Sequence, residues 1–338
     1  MQNVLQQYGV SETNCTINSL GNGLINNTWL VESGTEKFVL QRINQQVFKN
    51  PEDIAFNICL LADHLKNHHP GYLFTAAVKT VNDDDLIKTD EGYFRMFRFI
   101  AGSHTIDVVQ KPEQAYEAAR QFGKFSKNLS ALDALKLKIP LPDFHNLMLR
   151  YQQFENALQN GNRERVHQSA GLINFLQQHK GIVDEFENSK QFMQTRCTHH
   201  DTKISNVLFD KADKGLCVID LDTVMPGYFI SDLGDMMRTY VCPVSEEEKD
   251  ISKIIVRKEF YVAIVNGYLA EMGEELSEKE KEYIHYAGKF MIYMQAIRFL
   301  TDHINNDVYY GAKYESNNFV RAANQVALLK RFMELNPD

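Results

Sequence analysis

The strongest constraint on how this chain folds is a change of hydrophobic period at Ala101-Gly102-Ser103. Before it, SLGNGLINNTWLVES, KFVLQRIN, LFTAAVKT and DLIKTDEGYFRMFRFI read as strands. They are separated by Ser33-Gly34, the NDDD run and Asp90-Glu91-Gly92, residues that tolerate tight or positive-φ turns. One helix interrupts, opened by Pro51 and carrying Ile54, Ile58, Leu61 and Leu65 at helical spacing. Beyond the break the period is helical, from Pro112 with the stripe Ala115, Ala118, Phe122, Phe125 and Leu129 through residues 163–179, 247–272, Tyr283 to Ile304, and 317–335. A chain of 338 residues also outgrows a single core. The expectation is an α+β protein in two parts: a small antiparallel sheet with one helix over residues 1–101, and a larger, mainly helical part over 102–338.

One short β interruption lies inside the helical part. NVLFD (206–210) and LCVID (216–220) are strand-like, joined by Lys211-Ala212-Asp213-Lys214-Gly215, a loop of hairpin length. Pairing symmetric about Asp213 predicts Asn206 opposite Asp220, where cross-strand Cβ atoms lie about 4.5–5.5 Å apart. An amide oxygen and a carboxylate at that separation suit one hard cation. So few oxygen ligands favour Mg²⁺, which keeps waters and takes further ligands from substrate phosphates.

The residues ahead of the hairpin complete the pattern. His199, Asp201, Lys203 and Asn206 stand in the order His-x-Asp-x-Lys-x-x-Asn, the logic of a phosphoryl-transfer loop, in which the Asp takes the hydroxyl proton and the Asn binds metal. Lys203 is placed to neutralise a phosphate as a point charge. His199 is assigned a structural role, and the opposite direction of its neighbour His200 argues against a His-His-Asp metal cluster. Asp222, two residues past Asp220, reaches the metal or the substrate if the strand continues. Asp232 and Asp235 in SDLGD are expected to cap the helix they open.

Bulk properties exclude other classes. A net charge of −8 argues against broad binding to nucleic acid or anionic lipid. The five cysteines show no C-x-x-C spacing, so neither a zinc site nor a disulfide framework is indicated, and a reducing cytoplasm fits. No apolar run reaches the roughly 18 residues of a membrane span.

The motifs FVLQRIN, FRMFRFIAGS, EQAYEAARQFGKF, IPLPDFHN, THHDTKISNVLFD, CVIDLDTVMPG, SDLGDMMR and IRFLTDHINNDVYY span nearly the whole chain, which resembles the aminoglycoside phosphotransferase and choline kinase-like group. Within that group it is most similar to the bacterial N-acetylhexosamine 1-kinases, through IDLDTVMPG and RFLTDHINNDVYY. The resemblance implies a two-lobed, protein-kinase-like fold with ATP as co-substrate at the connector, beside Met96 and Phe99, and a sugar pocket in the helical lobe. It makes Asp201 the base that also meets the sugar, Asn206 and Asp220 the Mg²⁺ ligands, and the anomeric hydroxyl the acceptor. Arg298 and Asp302 stand where the family contacts sugar; otherwise they form an i,i+4 ion pair. Gly21 and Gly23, with Asn26 and Thr28, cover phosphates or form a plain hairpin turn. The strand that carries a phosphate-binding Lys in most relatives reads VLQRIN, so Gln41 or Arg42 fills that role or it stays vacant. Glu52 is a first-turn carboxylate rather than a partner for such a cation. A monomer or weak homodimer is expected; the alternatives are another small-molecule kinase of this fold, acting on an aminoglycoside, choline or another sugar or amino alcohol, and a non-catalytic kinase-like binding module.

Overall fold

The computed structural model describes residues 1–11, 15–21 and 25–335. The N-terminal part contains α1 (Gln2–Gln7), β1 (Cys15–Ser19), β2 (Asn27–Ser33), β3 (Glu36–Ile43), α2 (Pro51–His68), β4 (Ile87–Thr89) and β5 (Gly92–Arg98). The strands form one antiparallel sheet in the order β1-β2-β3-β5-β4. Strand alternation gives its two faces different work. Phe38, Leu40, Phe94 and Met96 pack beneath Val4 and Leu5 of α1 in a small separate core. Ile43 and Tyr93, of the opposite parity, join Ile54, Ile58, Leu61 and Leu65 of α2 in the main core, which runs on into the helical part. Gln41 and Arg95 share that second face and stand opposite each other in register.

LFTAAVKT does not form a strand. It makes one bridge, Ala77 to Phe97, because the same edge of β5 is taken by its hairpin partner β4.

The second part contains α3 (Pro112–Asn128), α4 (Leu147–Asn160), α5 (Arg163–Gln168), α6 (Ala170–Gln178), α7 (Gly181–Ser189), β6 (Arg196–Thr198), β7 (Val207–Phe209), β8 (Gly215–Val218), β9 (Met225–Gly227), α8 (Phe229–Tyr240), α9 (Lys258–Met272), α10 (Glu278–Lys281), α11 (Ile284–Ile304) and α12 (Asn317–Met333). The expected α+β architecture is therefore present. Two helical stretches are shorter than their periodicity implies. Residues 163–179 break at Ser169, and the helix expected from 247 begins at Lys258, after a segment whose Ser245 and Glu248 carbonyls are held by the Asn324 side chain. Asn57 of α2 ties the two parts together by donating to the carbonyls of Lys138 and Val224. Among the described residues no helix is long and apolar enough to cross a membrane.

Candidate active site

The loop between β6 and β7 is held from below by α8. The Asp232 carboxylate accepts the amides of His199 (3.0 Å) and His200 (2.7 Å), and Asp235 accepts that of Thr202 (2.9 Å). Thr202 returns a hydroxyl bond to the Asp232 carbonyl. The expectation that these carboxylates cap their own helix is corrected: α8 has Tyr228 at its N-cap, without a side-chain bond, and Asp232 reaches across to the loop. Burial pushes the Asp232 pKa up to about 7 despite its two amide bonds. His199 is structural, as expected. It is fully buried beside the edges of Phe122 and Phe125, and its Nε2–H donates to the Ile219 carbonyl (3.0 Å). His200 takes a left-handed conformation (φ 66°) directly before Asp201, and its Nδ1 lies 3.2 Å from Nδ1 of His145.

Asp201 emerges from this scaffold with Lys203 Nζ 3.0 Å from one carboxylate oxygen. Desolvation works to raise its pKa, but the Lys203 charge and hydrogen bond, with His199 and Asn206, outweigh it and hold the group below the usual carboxylate range. Asn206 donates its Nδ2 to the Asp201 carbonyl (2.9 Å), which fixes the amide's nitrogen and leaves its oxygen as the atom for a cation.

The hairpin register differs from the symmetric one by a residue. Phe209 pairs with Gly215, but past a bulge that leaves Leu216 without a partner Leu208 pairs with Cys217 and Val207 with Val218, a register that continues to Asn206 opposite Ile219. The Ile219 amide indeed donates to the Asn206 carbonyl (2.9 Å). A one-residue slip sends a side chain to the other face. Asp220, however, is left-handed (φ 61°, ψ 62°), and its carboxylate lies within the electrostatic reach of Asp201, Asp222, Lys203 and Arg95. Desolvation first, then the Asp222 and Asp201 charges, push its pKa up to about 7, although the residue keeps an exposed side. Asp201 thus links the two candidate ligands, by a hydrogen bond to Asn206 and by charge to Asp220. Crowded carboxylates short of compensating charge, with an all-oxygen donor set, fit a hard divalent cation. Among the described residues no three His, Cys, Asp or Glu side chains converge as a metal site.

Asp222 does not continue a strand. It lies in the 3₁₀ turn Leu221–Thr223, is 2% exposed, pairs with Arg95, and accepts a 2.7 Å bond from Asn26 Nδ2. Its carboxylate is therefore committed to the sheet rather than turned toward a metal or an acceptor. Arg95 is the residue the sequence reading missed. Its Nε and Nη2 donate to Gln41 Oε1 (3.0 and 2.8 Å). Arg42 lies on the opposite parity of β3, bonded to Asn27 and packed against Gly92, outside this cluster. The placement of Met96 at the nucleotide is corrected too, because its parity sends it, fully buried, into the core under α1. Phe99 follows β5 half-buried at the connector, its amide on the Lys37 carbonyl. Gly21 is exposed with φ 70°, Gly23 lies outside the described residues, and Glu52 accepts the Tyr93 hydroxyl from the first turn of α2.

On the other side of Asp201, His145 leads to Phe144, whose ring lies 5.5 Å from the Arg298 guanidinium. Tyr309 and Tyr310 flank the same cation at 5.9 and 5.5 Å. Arg298 has no carboxylate partner among the described residues; its bonds, to Gln295 and the Tyr309 hydroxyl, are both 3.4 Å. Asp302 does not pair with it. Buried, it accepts the amides of Tyr309 (2.7 Å) and Tyr310 (2.9 Å) and the Asn318 side chain (3.0 Å), and so holds the loop that carries the two tyrosines.

A small antiparallel sheet part beside a larger helical part, with Asp201, Lys203, Asn206 and Asp220 carried on one loop and the hairpin that follows it, is the architecture of the kinase-like class. Residues 16–274 match the model of the phosphotransferase enzyme family, and the chain belongs to that family. It is also similar in fold to a microcompartment-associated aminopropanol kinase (17% identity, TM-score 0.68, covering 98% of this chain and 96% of that one). A choline kinase from Cryptosporidium parvum (12%, 0.59, 98% and 95%) and a spectinomycin phosphotransferase solved with ADP and spectinomycin (12%, 0.59, 99% and 98%) share the fold as well.

Proposed function

We propose that this protein transfers the γ-phosphoryl group of ATP, with Mg²⁺, to the anomeric hydroxyl of an N-acetylhexosamine, giving the sugar 1-phosphate. The observation that carries the acceptor assignment is Arg298, an arginine without a carboxylate partner among the described residues, bordered by Phe144, Tyr309 and Tyr310. Arg150 adds a second positive charge, close enough for Arg298 to lower its pKa, after desolvation. Two guanidinium groups repel a cationic amine, which argues against choline-like or aminoglycoside acceptors. They donate readily to hydroxyl and acetamido oxygens, while the aromatic faces suit the C–H surface of a sugar ring.

Phosphoryl transfer asks chiefly for positioning and charge neutralisation. Asp201, kept ionised by Lys203, orients the acceptor hydroxyl and takes its proton. Lys203, half exposed, is free to turn toward phosphate oxygens. Asn206 and Asp220 would hold Mg²⁺, which when bound neutralises charge on the phosphates. The co-substrate assignment draws on the family and on the ADP complex of the spectinomycin enzyme.

Incubation with ATP, Mg²⁺ and separate N-acetylglucosamine, N-acetylgalactosamine, choline, ethanolamine and aminoglycoside, followed by ³¹P–¹H NMR, tests this reading. Phosphate on the anomeric oxygen of a sugar is expected. Phosphate on an exocyclic hydroxyl, or turnover with an amine acceptor and none with the sugars, overturns it.

A further inference from the structure

On the sheet side of the candidate metal ligands, a cation comes from an unexpected strand. Gln41 occupies the β3 position at which a lysine would project, and it carries no charge. Arg95 stands directly across from it on β5, is 2% exposed, makes two N–H bonds to Gln41 Oε1 and an ion pair with Asp222, and has its guanidinium 5.1 Å from the Phe97 ring. Those partners occupy Nε and Nη2. Nη1 is buried and has no hydrogen-bond partner.

A buried guanidinium N–H without an acceptor is rare in folded proteins, and one beside a candidate site points to an acceptor that arrives with a ligand. The ligand chemistry follows from the surroundings. Arg95 pairs with Asp222, two residues beyond the candidate metal ligand Asp220, so its guanidinium stands at that end of the candidate site. In protein kinases the lysine on the nucleotide phosphates is itself held by a carboxylate in an ion pair. Here Asp222 fills the carboxylate's part, with Asn26 Nδ2 fixing its second oxygen. Arg42 and Glu52 are not available as such a pair, since one is bonded to Asn27 and the other to the Tyr93 hydroxyl.

We propose that Arg95, oriented by Gln41 and Asp222, is the residue that contacts the nucleotide's phosphates, supplying from β5 the charge that β3 lacks. The proposal rests on the ATP-dependent reading above but not on the identity of the acceptor. Asp222 is then a positioning residue, acting through Arg95.

Calorimetry with ADP and with adenosine, each with and without Mg²⁺, separates the possibilities. Wild-type protein that binds no ADP refutes the ATP reading itself. Given wild-type binding, Arg95→Met is expected to weaken ADP at least about tenfold even without metal, while adenosine affinity changes less than about twofold. Equal losses for ADP and adenosine, or a loss seen only with Mg²⁺, make Arg95 a structural or metal-positioning residue and overturn the proposal, as does unchanged ADP affinity. Should Arg95→Met not fold, the swap Gln41→Lys with Arg95→Met keeps a cation for Asp222. It is expected to bind ADP within about fivefold of wild type, and a folded swap that binds adenosine but loses ADP contradicts the assignment.

Discussion

The loop that carries Asp201 and the box around Arg298 lie on either side of His145, yet they are held in different ways. The loop is fixed through its backbone: buried Asp232 and Asp235 on α8 take three of its amides, and His199 and Thr223 lock the neighbouring hairpin by bonds to main-chain carbonyls. The box is made of side chains stacked on side chains, with hydrogen bonds at 3.4 Å and Tyr309 exposed on a loop tethered by Asp302. Backbone fixation makes the chemical end insensitive to most side-chain changes near it. Side-chain fixation leaves the proposed acceptor end open to change one residue at a time.

This contrast predicts a graded series. The largest effect belongs to Asp201→Asn, which is expected to lower kcat at least about a hundredfold with little change in thermal stability, as measured by steady-state assay and melting. Retention of most turnover would remove Asp201 from the chemistry. Next is Asp232→Ala, which leaves two buried amides without acceptors and is expected to destabilise by about 2 kcal/mol or more in urea unfolding. A loss below about 0.5 kcal/mol would show that the loop does not depend on α8.

Smaller again, Arg298→Ala is expected to raise the acceptor KM about tenfold at unchanged ADP affinity. A parallel change in both would dissolve the division between the two ends. The smallest effect is expected for Arg42→Ala, a partly exposed residue bonded to Asn27, with ADP affinity within about twofold of wild type.

The raised pKa of Asp220 adds a pH test. The folded state keeps a proton that the unfolded chain releases between about pH 4 and 7, so this stability contribution is complete below about pH 4 and lost as pH rises through about 7. Metal-free wild type is expected to lose melting temperature across that window more steeply than Asp220→Asn. Because Mg²⁺ needs the ionised carboxylate, its affinity should rise between pH 6 and 8.

Much of this was legible in the sequence. The period change at residue 101 and the proline-led helices report local pattern, which survives into the fold wherever one face is buried. The His-x-Asp-x-Lys-x-x-Asn order reported a loop whose members are close in sequence and stay close in space. What stayed hidden depends on register or on distant contacts. Arg95 meets Gln41 only through β3–β5 pairing and Asp222 only through contact between the two parts. The bulge at Leu208/Phe209 has no clear mark in KADKG, and the left-handed turn at Asp220 that offsets it is rare for a residue other than glycine. Asp302 and Asp232 looked like a helix-surface partner and a cap. Each instead holds a remote loop, a role that no spacing within a helix announces.

The proposal that Asp220 and Asn206 share one divalent cation beside Asp201 is tested most directly by ADP calorimetry with and without Mg²⁺ on wild type and Asp220→Ala. Strengthening by Mg²⁺ in the wild type that disappears in the variant is the predicted result. Equal Mg²⁺ dependence in both proteins would contradict it.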